Sequence, residues 1–600
     1  MIVLLRQLIN SSVSALNSQC IFAQTPTIDF EPEIEKCPHC AKPLQVLKTE
    51  TKHVYTLHIG KFVAHHSIRK CVNCNNTIYY RAPELNSLVP KYSNYGYDIM
   101  VYVGRAVFQR YRTSAEVVAE LATQNVPISA SEVNYLAQKF IVYLAIAHKN
   151  IVPQITGLFH TAGGYILHLD GTNVGSSPHL LSAKDELSKI VLANIKIPTE
   201  NADQIIPFLK DIKTKYGEPL AVVSDMGRGI LTAKATVFPT VALFICHFHF
   251  LRDIGKDLLE KHYAVIRNTL KHYGISAQLR RRMRQYAKIG QQSLETNIDT
   301  IMQSNKNQQY EENQIYSLCY TLIAWALDGK NHGHGFGFPF DRPHLEFYNR
   351  INEIYRILNS YKQNSAYSIT KEGVKIVETL LTDLEPVVTD ELCKNTVKTI
   401  VQAITVFDTL RTAMKIAQPT DKDGLNSNGT ETDIKTIENQ IIIFKNNLLA
   451  TQEYKTNTDY QKMLAQIDKY WEKLFADPIE VKTPNGSKLV QPQRTNNIME
   501  QFFRDFKKGH RRTTGNNSIA KKLQTMFAET PLVKNLENKD YMKILLGAKA
   551  TLEEVFAQID YQEYISEIKL KKDEEEKIPK KIKKLIKDEN FQQKFLLLAS

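Results

Sequence analysis

The sequence lacks any apolar run that approaches the roughly eighteen residues of a membrane-spanning helix. Residues 1–24 also lack a positively charged segment followed by a sustained apolar block, which a signal peptide would have. Tryptophan occurs only twice, and eight cysteines are spread over 600 residues. Half of those cysteines are scattered singly, so the composition favours a reducing compartment over a disulfide framework. We therefore predict no membrane span, no signal peptide and no disulfide-stapled fold.

Positive charge is what the sequence has in excess. Lys and Arg together number 76 against 63 for Asp and Glu, which gives a net charge of +13 and a pI near 9.0. Such a balance favours polyanionic partners. The apolar content of 43% and the charged content of 23% are typical of globular proteins. Because a chain of this length is too long for one hydrophobic core, we expect several domains.

Two close cysteine pairs near the N-terminus have the spacing of metal ligands. They are Cys37-Pro-His-Cys40 and Cys71-Val-Asn-Cys74, separated by a strand-rich segment. Four thiolates at this spacing can form a tetrahedral zinc site, which stabilises a segment too small to have its own core. We predict a structural zinc ion on Cys37, Cys40, Cys71 and Cys74. Chance cysteines are the alternative, and His39 is a weaker candidate ligand. Whether this ribbon contacts DNA, a partner chain or neither stays open.

A pair of helices is predicted next, at 114–123 and 129–142, and with its short turn it resembles a helix-turn-helix. Each helix begins at a capping-box pair, Thr113 with Glu116 and Ser129 with Glu132. One face of the second helix is apolar and should pack on a core: Val133, Leu136, Ala137 and Phe140. The other face would then be free to enter a DNA groove through Asn134, Gln138 and Lys139. An ordinary helical bundle without DNA contact is the alternative.

Two apolar strands further along the chain each end on an aspartate. Tyr165-Ile-Leu-His-Leu-Asp170 is the first and Leu220-Ala-Val-Val-Ser-Asp225 is the second. Between and after them the pattern predicts strands at 189–197 and 242–249 and a helix at 202–216. Strands that come first together and then alternate with helices indicate a mixed α/β sheet. From residue 261 to 476 the strand pattern disappears and helical segments dominate.

A late helix carries an acidic residue followed by a row of cations. Counting from Glu500, the cations Arg504, Lys507, Lys508 and Arg511 fall at helical spacings and share its face. Asn497 is the expected N-cap, with Glu500 in the capping-box position. Glu500 therefore has two interpretations: it closes the end of the helix, or it is a functional carboxylate.

Three carboxylates gathered at one sheet edge could hold two divalent cations about 3.5–4 Å apart, which is the arrangement used for phosphodiester transfer. Oxygen ligands favour Mg²⁺ or Mn²⁺ over zinc. A single aspartate at a strand end is weak support for a metal site, because Asp-Gly also marks an ordinary turn. Asp170, Asp225 and Glu500 together favour the metal-binding interpretation.

The order of these motifs resembles the DDE transposases, whose catalytic domain is RNase H-like, and is closest in style to the Mutator and hAT groups. The matching motifs are Leu169-Asp170-Gly171-Thr172, Val223-Ser-Asp225, Cys246-x-x-His249 and Thr495-Asn-Asn-x-x-Glu500. The resemblance implies that Asp170, Asp225 and Glu500 are the metal-binding catalytic triad. Cys246 and His249 match the C(2)H signature of those groups, and we predict a structural or supporting role for them without a metal.

The predicted fold class is an α/β RNase H-like core with a mixed sheet, interrupted by a large all-α insertion and preceded by a zinc ribbon and a helix-turn-helix. The predicted boundaries are an N-terminal segment (1–30), the zinc ribbon (31–90), the helical DNA-binding domain (91–155), the first part of the core (160–262), the insertion (263–477), the final acidic helix of the core (478–535) and a C-terminal helical region (536–600).

The function that the resemblance implies is that of a DNA transposase. We expect it to bind double-stranded DNA at terminal inverted repeats and at a target site, with Arg504, Lys508, Arg511 and Arg512 on phosphates. Two Mg²⁺ or Mn²⁺ ions and one structural Zn²⁺ are expected, as is a homo-oligomer. We place it in the cytoplasm, on the nucleoid of a bacterium or in the nucleus of a eukaryote. The alternatives are a transposase-derived DNA-binding protein that no longer cuts, and an RNase H-like nuclease without strand transfer.

Overall fold

The structure is a computed structural model, and it describes residues 25–74, 78–303, 310–363, 369–417, 434–475, 477–484 and 486–573, with isolated positions beyond 581. It is a mixed α/β protein with one five-stranded sheet, two smaller sheets and many helices. No helix in these ranges is both long enough and apolar enough to cross a membrane. The N-terminal residues 1–24 lie outside the described part of the chain, as does most of the charged C-terminal segment after residue 573.

The cysteine pairs lie at the edges of a small four-stranded sheet. Its strands are β1 (Thr27–Phe30), β2 (Gln45–Tyr55), β3 (Lys61–Lys70) and β4 (Tyr79–Tyr80). β3 is central: β1 runs parallel to it, and β2 and β4 run antiparallel to it. Alternate residues of β3 are buried, which is the period of two expected for a strand with one covered face.

Five helices follow, namely α1 (Pro83–Leu88), α2 (Tyr97–Phe108), α3 (Ser114–Ala122), α4 (Ala130–Asn150) and α5 (Val152–Ala162). α3 begins at the predicted capping box, in which Thr113 and Glu116 bond each other's backbone N–H groups. α4 runs eight residues beyond the predicted end at 142, because its later turns are buried on most sides. The predicted core face of this helix is confirmed, since Val133, Leu136, Ala137 and Phe140 are all buried.

The five-stranded sheet is formed by β5 (Ile166–Thr172), β6 (His179–Asp185), β7 (Val191–Ile197), β8 (Ala221–Ser224) and β9 (Ala242–Ile245). The strand order is β7-β6-β5-β8-β9. The first three strands are antiparallel neighbours, and β8 and β9 run parallel to β5. Helices α6 (Ala202–Tyr216) and α7 (Arg228–Val237) make the two crossovers that parallel strands need. The sequence analysis missed β6, which lies between two predicted strands.

A long helical region separates β9 from the rest of the chain. Its helices are α8 (His247–His272), α9 (Ile275–Tyr286), α10 (Gln291–Gln303), α11 (Glu312–Asp328), α12 (Pro343–Gln363), α13 (Lys371–Val388), α14 (Glu391–Ala413), α15 (Ile434–Leu449), α16 (Gln452–Thr456), α17 (Thr458–Lys469) and α18 (Trp471–Leu474). Their apolar faces share one core that is distinct from the core of the five-stranded sheet. No strand lies in the described part of this region.

The chain returns to the sheet through an antiparallel hairpin, β10 (Ile479–Thr483) and β11 (Gly486–Val490). It ends in helices α19 (Asn497–Thr514), α20 (Ala520–Thr525), α21 (Lys539–Leu546), α22 (Leu552–Ala557) and α23 (Tyr561–Asp573), with a 3₁₀ segment at Thr530–Glu537. Within the predicted C-terminal helical region, α21 ends at Gly547, which adopts a positive φ of 53°.

Candidate functional site

Three chemically distinctive residues form a row across the parallel part of the sheet. β5 and β8 pair His168 with Val223, so continuing that register by two residues places Asp170 opposite Asp225. β8 and β9 pair Ser224 with Ile245, which places Asp225 opposite Cys246. Neighbouring strands lie about 4.8 Å apart, so the carboxyl ends of the three strands gather these side chains at one edge.

Both aspartates bond the backbone immediately after them. Asp170 Oδ1 accepts the N–H of Gly171 at 2.8 Å, and Asp225 Oδ1 accepts the N–H of Gly227 at 3.0 Å. These contacts fix each carboxylate at its strand end and occupy one oxygen of each. Asp170 is 8% exposed, so both groups are held rather than free in solvent.

The first turn of α19 lies against the same edge. The N-cap of this helix is Asn496, and its side chain makes no cap bond to the helix. Its backbone N–H instead donates to Cys246 Sγ at 3.1 Å, and its Nδ2 donates to the carbonyl of Leu169 at 2.9 Å. The predicted capping box of Asn497 and Glu500 is therefore wrong: the helix begins one residue earlier than expected.

Glu500 faces the row at the sheet edge. Its Oε1 lies 3.7 Å from His249 Nε2, and it forms a cluster with Cys246 and His249 whose potential ligand atoms all lie within 4.8 Å of one another. Of the two interpretations of Glu500, the structure contradicts helix capping.

Of the three carboxyl groups, Asp170 is the one whose pKa both of the others raise. The Arg252 guanidinium acts in the opposite direction on the pKa of Asp225 and of Glu500. Burial, and after it the Asp225 and Glu500 carboxylates, raise the pKa of Asp170 well above its usual value. The pKa of Asp225 is raised by burial and by the Glu200 and Asp253 carboxylates. Burial also raises the pKa of Glu500. Neighbouring carboxyl groups disfavour each other's ionised form, and a bound cation would remove that repulsion.

Glu200 is a fourth carboxyl group at this edge, and the sequence analysis missed it. It raises the pKa of both aspartates, and its Oε1 lies 3.1 Å from His179 Nδ1. A Cβ added to Gly171 would come within 2.1 Å of Glu200 Oε1, so the glycine after Asp170 permits this approach. In the sequence, Glu200 is marked only by its position just before α6.

A buried chain of side chains holds the start of α19. Glu186 Oε2 lies 2.9 Å from His168 Nε2, and His168 Nδ1 donates to Asn496 Oδ1 at 2.8 Å. Glu186 also accepts the backbone N–H of Gln493 through both oxygens, at 3.2 and 3.1 Å. The guanidinium of Arg494 donates to two carbonyls after α14, at 2.7 and 2.6 Å. The approach to α19 is thus bonded to both the sheet and the helical region.

The cations of α19 lie on its solvent side. Arg504, Lys508, Arg511 and Arg512 are all exposed, and within the described chain none of them takes part in an ion pair. On the opposite side of the helix, Phe502 and Phe503 are buried in the core of the sheet. The helix therefore presents a positive face beside the carboxyl cluster.

The predicted DNA-facing set on α4 needs one correction. Asn134 and Gln138 are exposed, and Asn134 Oδ1 accepts a bond from Ser114 Oγ at 2.7 Å. Lys139 is only 2% exposed, and its Nζ lies 5.3 Å from the ring centroid of Tyr564 on α23. Burial lowers the pKa of Lys139 to about 8. Lys139 is therefore not available to a DNA groove.

The four N-terminal cysteines converge in the small sheet. Cys37 Sγ lies 3.9 Å from Cys74 Sγ, and Cys40 Sγ lies 3.5 Å from Cys71 Sγ. A tetrahedral zinc ion with bonds of about 2.3 Å would separate its sulfurs by about 3.8 Å. All four thiols are free, and the N–H of His39 lowers the pKa of Cys37 to about 6. The cluster could hold a zinc ion, and the imidazole of His39 is exposed outside it.

No protein-family model matches this chain, and no curated protein matches it significantly.

Proposed function

We propose that this protein is a DNA transposase of the DDE type, which cleaves DNA at element ends and joins the freed 3′ ends to a target. The observation that supports the proposal is the position of Asp170. It lies opposite Asp225 at the sheet edge, and the Asp225 and Glu500 carboxylates both raise its pKa. Buried carboxylates that repel one another would be stabilised by divalent cations bound between them.

The strand arrangement supports an RNase H-like core for this function. Three antiparallel strands are followed by two that run parallel to the first, and the aspartates end the first and fourth strands. A helical region then separates β9 from the acidic helix α19. This is the layout that the resemblance to Mutator- and hAT-type transposases implies.

The chemistry assigned to the site is transfer of a phosphodiester without a covalent enzyme intermediate. Asp170, Asp225 and Glu500 would hold two Mg²⁺ or Mn²⁺ ions, with Glu200 close enough to assist. When bound, such ions activate the attacking oxygen and stabilise the leaving oxygen. The attacking oxygen is water in the first step and the freed 3′-hydroxyl in the second. In each step one P–O bond forms, one breaks, and the departing oxygen takes a proton.

DNA would be held by the positive face of α19 beside the carboxyl cluster. Arg504, Lys508, Arg511 and Arg512 are placed to contact phosphates near the cleaved bond. Asn134 and Gln138 on α4 remain candidates for reading a groove at the element end. Assembly of two DNA ends on one complex would require more than one copy of the chain.

The test is nicking of a supercoiled plasmid that carries the flanking sequence of the gene, with Mg²⁺. We expect Asp170→Asn, Asp225→Asn and Glu500→Gln each to lose roughly 10²–10³-fold in nicking rate, the range for removing one group that stabilises developing charge. Each substitution removes a repelling charge from a buried cluster, so the melting temperature should not fall.

Exposed acids outside the cluster provide matched controls. Asp211→Asn on α6 and Glu480→Gln on β10 should nick like the wild type. Equal nicking by all variants would reject the assignment. Cleavage without joining of the 3′ end would identify a nuclease, and DNA binding without metal-dependent cleavage would identify a silent relative of a transposase.

A further inference from the structure

Cys246, His249 and Glu500 form a second cluster of metal-ligand type, far in sequence from the four N-terminal cysteines. Cys246 follows β9, His249 lies in the first turn of α8, and Glu500 lies in the first turns of α19. We propose that these three side chains bind a transition-metal ion of the zinc class, in addition to the zinc ion of the N-terminal ribbon. This inference does not depend on the proposed function.

The histidine is the first observation behind it. His249 is 8% exposed, and its buried Nδ1 makes no hydrogen bond to another described residue. Its Nε2 faces Glu500 Oε1 at 3.7 Å, which is too long for a hydrogen bond. Buried polar groups are nearly always hydrogen-bonded, so this imidazole is unusual in its burial. The nitrogen that faces Glu500 is Nε2, and it is the one placed to bind a metal ion.

The spacing of the three side chains is the second observation. Metal bonds of about 2.0–2.3 Å in a tetrahedral site separate two ligand atoms by roughly 3.3–3.8 Å. A nitrogen and an oxygen ligand lie at the short end of that range, at about 3.3–3.5 Å. His249 Nε2 and Glu500 Oε1 are 3.7 Å apart, so they would approach by a few tenths of an ångström on binding. Cys246 Sγ completes the set, all within 4.8 Å. It already accepts the Asn496 N–H at 3.1 Å, which fixes the position of the sulfur.

The donor set determines which metal fits. One sulfur, one nitrogen and one carboxylate oxygen suit Zn²⁺ and its neighbours, whereas Mg²⁺ prefers oxygen ligands alone. Binding would displace the proton of the Cys246 thiol to solvent. Three protein ligands leave a fourth position, which water or a phosphate oxygen could fill, and Asp225 is the strand neighbour of Cys246.

Glu500 belongs to this cluster and to the proposed carboxylate triad. A carboxylate has two oxygens, and only Oε1 faces His249. The other oxygen is available to cations shared with the aspartates. This proposal replaces the prediction made from the sequence, which was that Cys246 and His249 act without a metal.

The experiment counts metal in the purified full-length protein by elemental mass spectrometry. We expect two zinc ions per chain in the wild type and one in Cys246→Ser and in His249→Asn. Cys319→Ser is the matched control, because Cys319 is likewise buried and free but lies in the helical region outside the cluster. It should retain two.

Cobalt substitution gives an independent readout. Five thiolates would bind cobalt in the wild type and four in Cys246→Ser, so about one fifth of the thiolate charge-transfer absorbance should be lost. Melting curves identify any variant that fails to fold. One metal ion per chain in the wild type would overturn the proposal, as would two ions in both Cys246→Ser and His249→Asn.

Discussion

Asn496 joins the first turn of α19 to two strands of the sheet. Its backbone N–H, side-chain nitrogen and side-chain oxygen bond Cys246, Leu169 and His168 respectively. The residue is completely buried, and it lies four positions before Glu500. The orientation of Glu500 toward the sheet edge therefore depends on a neighbour that carries no charge.

Replacing Asn496 by alanine should lower the free energy of unfolding by about 1–3 kcal/mol, because the buried carbonyl of Leu169 and the ring N–H of His168 lose their partner. Urea-induced unfolding measures this change. Asn516→Ala is the control: this asparagine is exposed just beyond the other end of α19, and its loss should change stability by less than about 0.5 kcal/mol. A loss no larger for Asn496 than for Asn516 would contradict the role described.

Single residues were predictable from the sequence where a local pattern carries the signal. The strand-end aspartates and the cysteine pairs are of this kind. Lys139 was placed wrongly because its burial depends on Tyr564, which lies more than four hundred positions later. Glu200 was missed because one acid before a helix has no distinctive pattern. Both depend on tertiary packing that local spacing does not encode.

At the scale of elements, the two sides of α19 have different surroundings. Its aromatic side packs into the core of the sheet, and its cationic side faces solvent next to the carboxyl cluster. Helical spacing predicted the shared face of the cations, but not the packing of the aromatic side. The sequence did not predict β6, which lies between two predicted strands.

The cationic side should make DNA binding dependent on salt. Each lost phosphate contact reduces the slope of log affinity against log salt by about 0.9. Lys508→Ala and Arg511→Ala are therefore each expected to lower the slope by about that amount, and together by about twice as much. Fluorescence anisotropy with a labelled duplex over a salt series measures it.

An exposed arginine away from this face gives the comparison. Arg356 on α12 has a side chain 71% exposed and is paired with Glu353. Arg356→Ala should leave the slope unchanged. Slopes that fall equally in all three variants would show that binding responds to net charge and not to the face of α19.

At the scale of the molecule, α19 also connects the sheet to the helical pair. Gly509 is the point of closest approach, because a Cβ there would lie 2.1 Å from Tyr111 Cε1, just before α3. Thr513 Oγ1 donates to the carbonyl of Tyr111 at 3.2 Å in the same place. Earlier in the chain, the N–H groups of Leu57 and His58 donate to the buried Asp98 of α2. These bonds connect the cysteine ribbon to the helix that precedes the pair.

Gly509→Ala should therefore lower stability by about 1–3 kcal/mol, since the added methyl group overlaps the Tyr111 ring. The sign of the stability change identifies the overlap, because alanine in a helix is otherwise favoured over glycine by about 1 kcal/mol. Gly157→Ala on α5 is the matched control: nothing lies within 4 Å of its added Cβ, so it should be stabilising. Urea unfolding compares the two, and equal stabilisation by both substitutions would contradict the close docking of α19.

The order in which strand-rich and helical segments follow one another could be predicted from changes of periodicity along the chain. How they are joined could not. The contacts of Gly509 with Tyr111, and of Asn496 with Leu169, link segments hundreds of residues apart. No pattern within either segment indicates which distant surface it meets.

The distance along the chain between Leu169 and Asn496 has a consequence for biosynthesis. They are 327 residues apart, so at about 5–20 residues per second a ribosome takes roughly 16–65 s to pass from one to the other. Throughout that interval the nascent polypeptide lacks Glu500, and in its later part it already carries both aspartates. Under the proposed activity, chromosomes near the translating ribosome are protected from an unfinished enzyme. A prematurely terminated product would still carry α3 and α4, so it could occupy DNA ends without cutting them.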